Sequence, residues 1–246
     1  MELADSLFVM LLRARGVYAP QEDTSFLLEA LRQAAVPARA RVLDIGTGTG
    51  ALALAAMRAG AAEVTAVDVS RRAVWTARVN AALHRLPIRV RHGDVLDVVG
   101  DESFDLVLAN PPYVPADRAA RGPARAWDAG LDGRVLLDPL CARAFDLLNP
   151  GGVLLMVHSA LSGVDETVRR LRDCGLKAAV VQRRTVPFGP VLRSRTAFLE
   201  EQGLIEPGQR EEELVVIRGD RAEPAPGDDR AERPGARRRS GRARHR

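Results

Sequence analysis

Lysine is nearly missing from this chain: Lys177 is the only one among 36 basic residues. Such arginine-for-lysine usage in an alanine-rich sequence is that of a GC-rich genome. Cysteine is equally scarce. Cys141 and Cys174 lie far apart with no CxxC spacing, which argues against a thiolate zinc site or a disulfide framework and predicts two buried or half-buried thiols. None of the four histidines falls in a recognisable ligand pair, and His245 sits near the end of the chain, so no metal is expected. Long apolar runs are also lacking: nothing approaches the roughly 18 residues of a membrane-spanning helix. The short run from Leu7 to Leu12 follows Glu2 and Asp5 rather than basic residues, which speaks against a secretory leader. The expectation is a cytoplasmic protein with no membrane contact.

What is present is an ordinary apolar content of 46% over 246 residues, enough for one generous domain with a sizeable core. The net charge of +4 invites a nucleic-acid reading, but its location weakens that reading. Nine arginines and five acids lie in residues 219–246, and of the 36 basic and 32 acidic residues this leaves 27 of each sign in residues 1–218. A surface built to hold a nucleic-acid duplex carries its basic patch on the folded body.

Strand and helix patterns alternate from residue 41 onward. Ahead of them, residues 1–40 read as a lead-in: a polar, turn-like stretch from Gly16 to Thr24 around Pro20, then a helix from Ser25 to Ala35 with Asp23 or Thr24 as its N-cap. Strands are predicted at Arg41–Ile45, Glu63–Val67, Ile88–Arg91, Phe104–Ala109, Val153–Val157, Ala178–Gln182 and Glu213–Arg218. Helices are predicted at Gly50–Ala59, from Ser70 to about Leu83, at Leu136–Leu148 with Asn149-Pro150-Gly151-Gly152 as a sharp stop, at Asp165–Cys174 and around Arg195–Gln202. Pro115–Arg134 reads as a long loop of the functional kind. Repeated strand-helix-strand units with apolar strands imply an α/β, Rossmann-like fold: a mostly parallel seven-stranded sheet covered by helices on both faces, with an antiparallel edge strand. Residues 41–218 form the predicted domain, and residues 219–246, poor in apolar side chains, a disordered arginine-rich tail.

In such a sheet, ligands bind beyond the carboxyl ends of the strands. Asp44-Ile45-Gly46-Thr47-Gly48-Thr49-Gly50 follows the first strand, Asp68 the second, Gly93-Asp94 the third and Asn110-Pro111-Pro112-Tyr113 the fourth, so all four should meet on one rim. The glycines let backbone approach a small cofactor closely. Asp44 would repel a pyrophosphate and attract an ammonium such as that of S-adenosylmethionine. Asp68, about twenty residues beyond the glycines, is placed to accept from ribose hydroxyls, and Asp94 from an adenine amino group. A nicotinamide enzyme also fits Gly46-Thr47-Gly48-Thr49-Gly50-Ala51, but hydride transfer requires neither Asp44 nor the Asn-Pro-Pro-Tyr. That motif suits a planar nitrogen. The Asn110 oxygen and a diproline carbonyl can accept from both N–H groups of an amide, and Tyr113 offers a flat wall.

On these residues the sequence resembles the HemK class of S-adenosylmethionine-dependent methyltransferases, the N5-glutamine methyltransferases of release-factor Gly-Gly-Gln loops. It is similar especially to their short archaeal and eukaryotic form, which begins with a segment like Val17-Tyr18-Ala19-Pro20-Gln21-Glu22-Asp23-Thr24. The similarity covers residues 8 to 218 or so and includes Asp128-Ala129-Gly130-Leu131-Asp132-Gly133-Arg134. It implies a class I methyltransferase fold and cofactor contacts by Thr24, Asp44, Gly46, Gly48, Asp68, Asp94, Val95 and Asn110. It also implies catalytic roles for Asn110, Pro111, Pro112 and Tyr113, a protein acceptor with a glutamine-containing loop, and a small activating partner of the kind the short forms work with. The N-terminal helical substrate domain of the bacterial release-factor enzymes does not fit into some forty residues. The alternatives are methylation of the exocyclic amine of adenine or cytosine in nucleic acid, and a module that holds S-adenosylmethionine or a nucleotide without catalysis.

Overall fold

The computed structural model describes residues 11–34, 39–117 and 126–223. Seven strands and the helices between them alternate as the hydrophobic pattern requires. The strands are β1 (Arg41–Ile45), β2 (Glu63–Asp68), β3 (Ile88–His92), β4 (Phe104–Ala109), β5 (Leu148–Ser159), β6 (Lys177–Pro187) and β7 (Glu211–Asp220). The helices are α1 (Glu22–Gln33), α2 (Ala51–Arg58), α3 (Arg71–Leu83), α4 (Val95–Val98), α5 (Leu137–Arg143), α6 (Val164–Asp173), α7 (Pro190–Ser194) and α8 (Thr196–Glu201).

The strands form one sheet in the order β3-β2-β1-β4-β5-β7-β6. The first five run parallel, as right-handed strand-helix-strand crossovers dictate. β7 enters between β5 and β6, antiparallel to both, so the edge strand β6 pairs antiparallel with its neighbour. The order reverses at β1 and β4, whose carboxyl ends therefore border a crevice that no crossover fills. Val42, Leu43, Leu108, Val215, Val216 and Ile217 are all sealed from solvent, which is why these strands read as continuous apolar runs.

Several element limits differ from the sequence expectation. The first helix begins at Glu22, after Gln21, so Asp23 and Thr24 are not caps but buried members of its first turn. The helix predicted to reach Leu148 stops at Arg143. Leu148 pairs with Phe104, and Asn149-Pro150-Gly151-Gly152 lies inside β5, absorbed by a register shift between Phe104 and Leu106. An irregularity tolerates a proline that cannot donate to the ladder. It also demands Gly152, where a Cβ would stand 2.7 Å from the Asn149 carbonyl oxygen and 2.9 Å from that of Phe104.

β6 and β7 outrun their predicted limits at both ends because they zip against each other along ten paired positions. The last strand thus reaches Asp220, and Arg221 continues it with backbone bonds to Gly151 and Gly152. The expected tail from 224 onward, the first ten residues, residues 35–38 and residues 118–125 of the long loop lie outside the described residues. Among the described residues no helix is long and apolar enough to cross a membrane.

Candidate active site

At the carboxyl end of β1 the chain makes its glycine turn. Gly46 and Gly48 have φ of +70° and +55°, backbone that side-chain-bearing residues rarely adopt. The turn is tied to β2: the Val67 carbonyl accepts from the Gly46 and Thr47 amides, and Asp68 Oδ2 accepts from the Gly48 amide at 2.9 Å. Asp68 Oδ1 accepts from Ser70 N at 2.8 Å. Burial holds the Asp68 carboxyl above its ordinary range, opposed by these two amides.

A cavity of about 620 Å³ opens beside this turn. Thr24, Gly46, Gly48, Asp68, Asp94, Val95 and Asn110 to Pro112 all line it. Its size suits a nucleoside-sized ligand. Asp94 both caps α4, accepting from Leu96 N at 2.9 Å, and faces the cavity. The two roles are compatible, since Oδ1 caps the helix and Oδ2 is left for a ligand.

Asp44 departs from the expected placement. It is sealed from solvent and does not line the cavity; Oδ2 accepts from the Thr47 hydroxyl at 2.6 Å and from Ala53 N at 3.1 Å. Oδ1 is buried with no partner among the described residues, and burial pushes the carboxyl up to about 7. The residue that looked like a direct ammonium contact instead clamps the glycine turn to the start of α2.

A second, smaller cavity of about 110 Å³ lies on the other side of Asn110-Pro111-Pro112. Those three residues border both cavities, together with Tyr18 and Ala126. Tyr113, Asp23, Trp127, Val186, Glu212 and Leu214 line only the small one. Tyr113 is therefore a wall of the smaller cavity alone.

The side chain of Asn110 is oriented by a relay. Asp23 Oδ2 accepts from the Tyr18 hydroxyl at 2.8 Å and from the Tyr113 hydroxyl at 3.1 Å. Asp23 Oδ1 accepts from the Thr24 amide at 2.6 Å and from the Thr24 hydroxyl at 3.2 Å. A carboxylate can only accept, so the Thr24 hydroxyl spends its proton there and must itself accept from Asn110. It does so from Nδ2 at 3.2 Å. The Asn110 amide is thereby oriented with its oxygen left over as a free acceptor. Burial, and then the charge of Asp23, drives the Tyr18 and Tyr113 phenols far above their ordinary range and keeps both as donors.

Glu212 completes the small cavity from β7. It is only 7% exposed, Oε2 has no partner among the described residues, and burial pushes the carboxyl up to about 7. Nothing in its local sequence, a Glu-Glu-Glu run at a strand start, distinguishes it from a solvated charge. Asp23 and Tyr18 carried a signal only as neighbours of Thr24 in one motif. No cluster of three metal-ligating side chains occurs among the described residues.

A family model for the methyltransferase small domain matches residues 9–184. A protein of Methanocaldococcus jannaschii named as a protein N5-glutamine methyltransferase is 35% identical over 176 residues, covering 70% of this chain and 87% of its own. The release factor glutamine methyltransferase of Deinococcus radiodurans is 44% identical over 149 residues, 56% of this chain and 52% of its own. The chain thus spans about half the length of the release-factor relatives it matches. Among solved structures, a chain of the E. cuniculi Mtq2–Trm112 complex, described as responsible for methylation of the eRF1 translation termination factor, superposes with a TM-score of 0.60 at 25% identity. That match covers 84% of this chain and 99% of the other.

Proposed function

Because the chain belongs to the methyltransferase small-domain family, we propose that it transfers a methyl group from S-adenosylmethionine to the side-chain amide nitrogen of a glutamine in a protein loop of the release-factor kind. The observation that carries this reading is the shared border of the two cavities. Asn110-Pro111-Pro112 separates a space large enough for the cofactor from a small, mostly apolar one, and Asn110 is oriented to offer an oxygen.

The residues present fit the cofactor. The glycine turn leaves its backbone open to a ligand, Asp68 and Asp94 retain acceptor capacity toward ribose and adenine, Val95 adds an apolar contact, and Thr24 borders the same space. Asp44, behind the turn, holds the glycine backbone in place through Thr47 and Ala53 without lining the cavity. When bound, S-adenosylmethionine would supply an electrophilic methyl group on a sulfonium sulfur that departs as the neutral thioether with the C–S electron pair.

The chain's own contribution is position and electrostatics. An amide nitrogen is a poor nucleophile because its lone pair is delocalised. The Asn110 oxygen and a diproline carbonyl accept from its two N–H groups, which fixes the nitrogen and raises its electron density; one of those protons passes to solvent once the C–N bond has formed. Trp127 and Tyr113 exclude water from around it. A small activating partner belongs to the same proposal, and the E. cuniculi Mtq2–Trm112 match, a complex of two proteins, supports it.

Labelled S-adenosylmethionine, offered with release-factor protein or with nucleic acid, locates the methyl group. Label in a glutamine is expected; label confined to nucleic acid overturns the reading. Asn110→Ala should lower transfer on the order of a thousandfold while cofactor binding, measured by calorimetry, is largely kept.

A further inference from the structure

Three carboxyl-bearing residues line the small cavity, the exposed Glu22 and the buried Asp23 and Glu212, and the structure treats the two buried ones differently. Asp23 has four donors on its two oxygens, from Tyr18, Tyr113 and both the amide and the hydroxyl of Thr24. Glu212 comes from the opposite side, on β7 across from Val186, and its Oε2 is buried without a partner among the described residues. Two carboxylates in one dry space cannot both hold charge at little cost. The one rich in donors keeps the charge, and the one with an orphan oxygen keeps a proton.

A primary carboxamide presents two donors on nitrogen and an acceptor on its carbonyl oxygen. The first two are matched by Asn110 and the diproline. Nothing in the mechanism above matches the third. Two of the donors that line the cavity, the phenols of Tyr18 and Tyr113, already spend their protons on Asp23.

We propose that Glu212, in its neutral form, is the specificity residue that donates a hydrogen bond to the carbonyl oxygen of the acceptor amide, so that the cavity selects a carboxamide over an amine. This rests on the glutamine reading and adds the group that recognises the other end of the amide. An amine has no carbonyl to receive the proton and leaves the Glu212 donor buried and unmatched, which is the costliest kind of mismatch.

Burial sets the Glu212 carboxyl near neutrality, with the charge of Asp23 acting in the same direction and the Ser159 hydroxyl against it. Across the strand pair, Arg184 is committed to Glu29 at 2.5 Å and lies over the Phe26 ring, so it does not neutralise Glu212. Transfer to glutamine should therefore decline as pH rises through about 7, where Glu212 loses its proton.

The test uses a peptide carrying Gly-Gly-Gln, saturating S-adenosylmethionine, and the full chain with any activating partner. Wild-type kcat/KM should fall about tenfold for each pH unit above the transition. Glu212→Gln keeps an N–H donor at every pH and should hold the rate through about pH 8.5. Glu212→Leu should raise the peptide KM more than about tenfold at all pH values with cofactor affinity unchanged. Infrared difference spectra between wild type and Glu212→Gln should show a protonated carboxyl at about pH 6 that is lost by about pH 9.

A wild-type profile that is flat or rising, a peptide KM that Glu212→Leu leaves unchanged, or an ionised Glu212 at about pH 6 would each overturn the role of Glu212 while glutamine methylation stands. A wild type that methylates no glutamine overturns both, and that result is recognised because residue 212 then makes no difference.

Discussion

Thr24 and Asn110, 86 positions apart in the chain, meet at 3.2 Å, and the hydroxyl of the first decides which way the amide of the second faces. Thr24→Val keeps the shape and removes the acceptor. The Asn110 amide is then free to turn its NH2 toward the small cavity, where it would oppose the N–H groups of the substrate. The expected result is a loss of roughly ten- to a hundredfold in kcat with a smaller change in cofactor affinity. Thr24→Ser should restore most of the rate, and the KM-against-kcat split distinguishes orientation from a general loss of packing.

Asp44 makes stability depend on pH. Its carboxyl is raised from 3.8 in the unfolded chain to about 7 in the fold, so the folded state binds the extra proton between these values. Stability therefore falls as pH rises through this window, and the full cost is in place above about 7, on the order of a few kcal/mol. Asp44→Asn should flatten the slope between about pH 5 and pH 8 in denaturant unfolding while retaining acceptance from Thr47 and Ala53. His158, held down to about 4 by burial, acts in the opposite sense between that value and 6.5. Comparison of a single variant with wild type isolates the Asp44 contribution.

The wall of the small cavity is held by an ion pair. Arg195 bonds to the buried Asp128 and also donates to the Pro115 carbonyl at 2.9 Å, fastening the loop that carries Trp127 to the stretch between α7 and α8. Arg195→Ala strands a buried carboxylate and should cost about 3 kcal/mol in unfolding free energy. The same variant should raise the acceptor KM more than the cofactor KM, because only the acceptor side loses its support.

Truncation separates the tail from the sheet. Removal of residues 224–246 is expected to leave melting temperature and transfer to a protein acceptor unchanged; a large loss of transfer would make the tail a substrate-binding arm. Removal from Gly219 onward takes away Arg221, which lies 4.0 Å over the Phe145 ring and donates to the Phe145 and Leu148 carbonyls. That shorter chain should melt several degrees lower, each kcal/mol being worth about 2–4 °C at this size.

The parallel half of the sheet was legible because each strand carries its own signal, an apolar run closed by a glycine or an acid. The rim residues followed from it, since a topological switch point brings strand ends together whatever the loops do. Side-chain direction was not legible. Asp44 and Asp68 both end strands, yet one turns into the helix behind the glycine turn and the other faces the cavity, a difference set by which backbone amides lie in reach. Asp23 read as a helix cap because capping is the local use of an acid there, whereas its partners Tyr18 and Tyr113 come from outside the helix. Glu212 was hidden altogether, since its burial arises from elements distant in the chain that meet at the small cavity.

The insertion of β7 also orders assembly in time. The strand follows all six others in the chain, yet it must slip between two that precede it, so β6 cannot join the sheet until β7 has been synthesised and docked. The strands that carry the glycine turn and its neighbours, β1, β2 and β4, precede that step in the chain, whereas Glu212 and Leu214 belong to β7 itself. Every residue lining the cofactor-sized cavity thus lies before β5 in the chain, whereas the small cavity draws its far wall from β6 and β7, the last strands to be made.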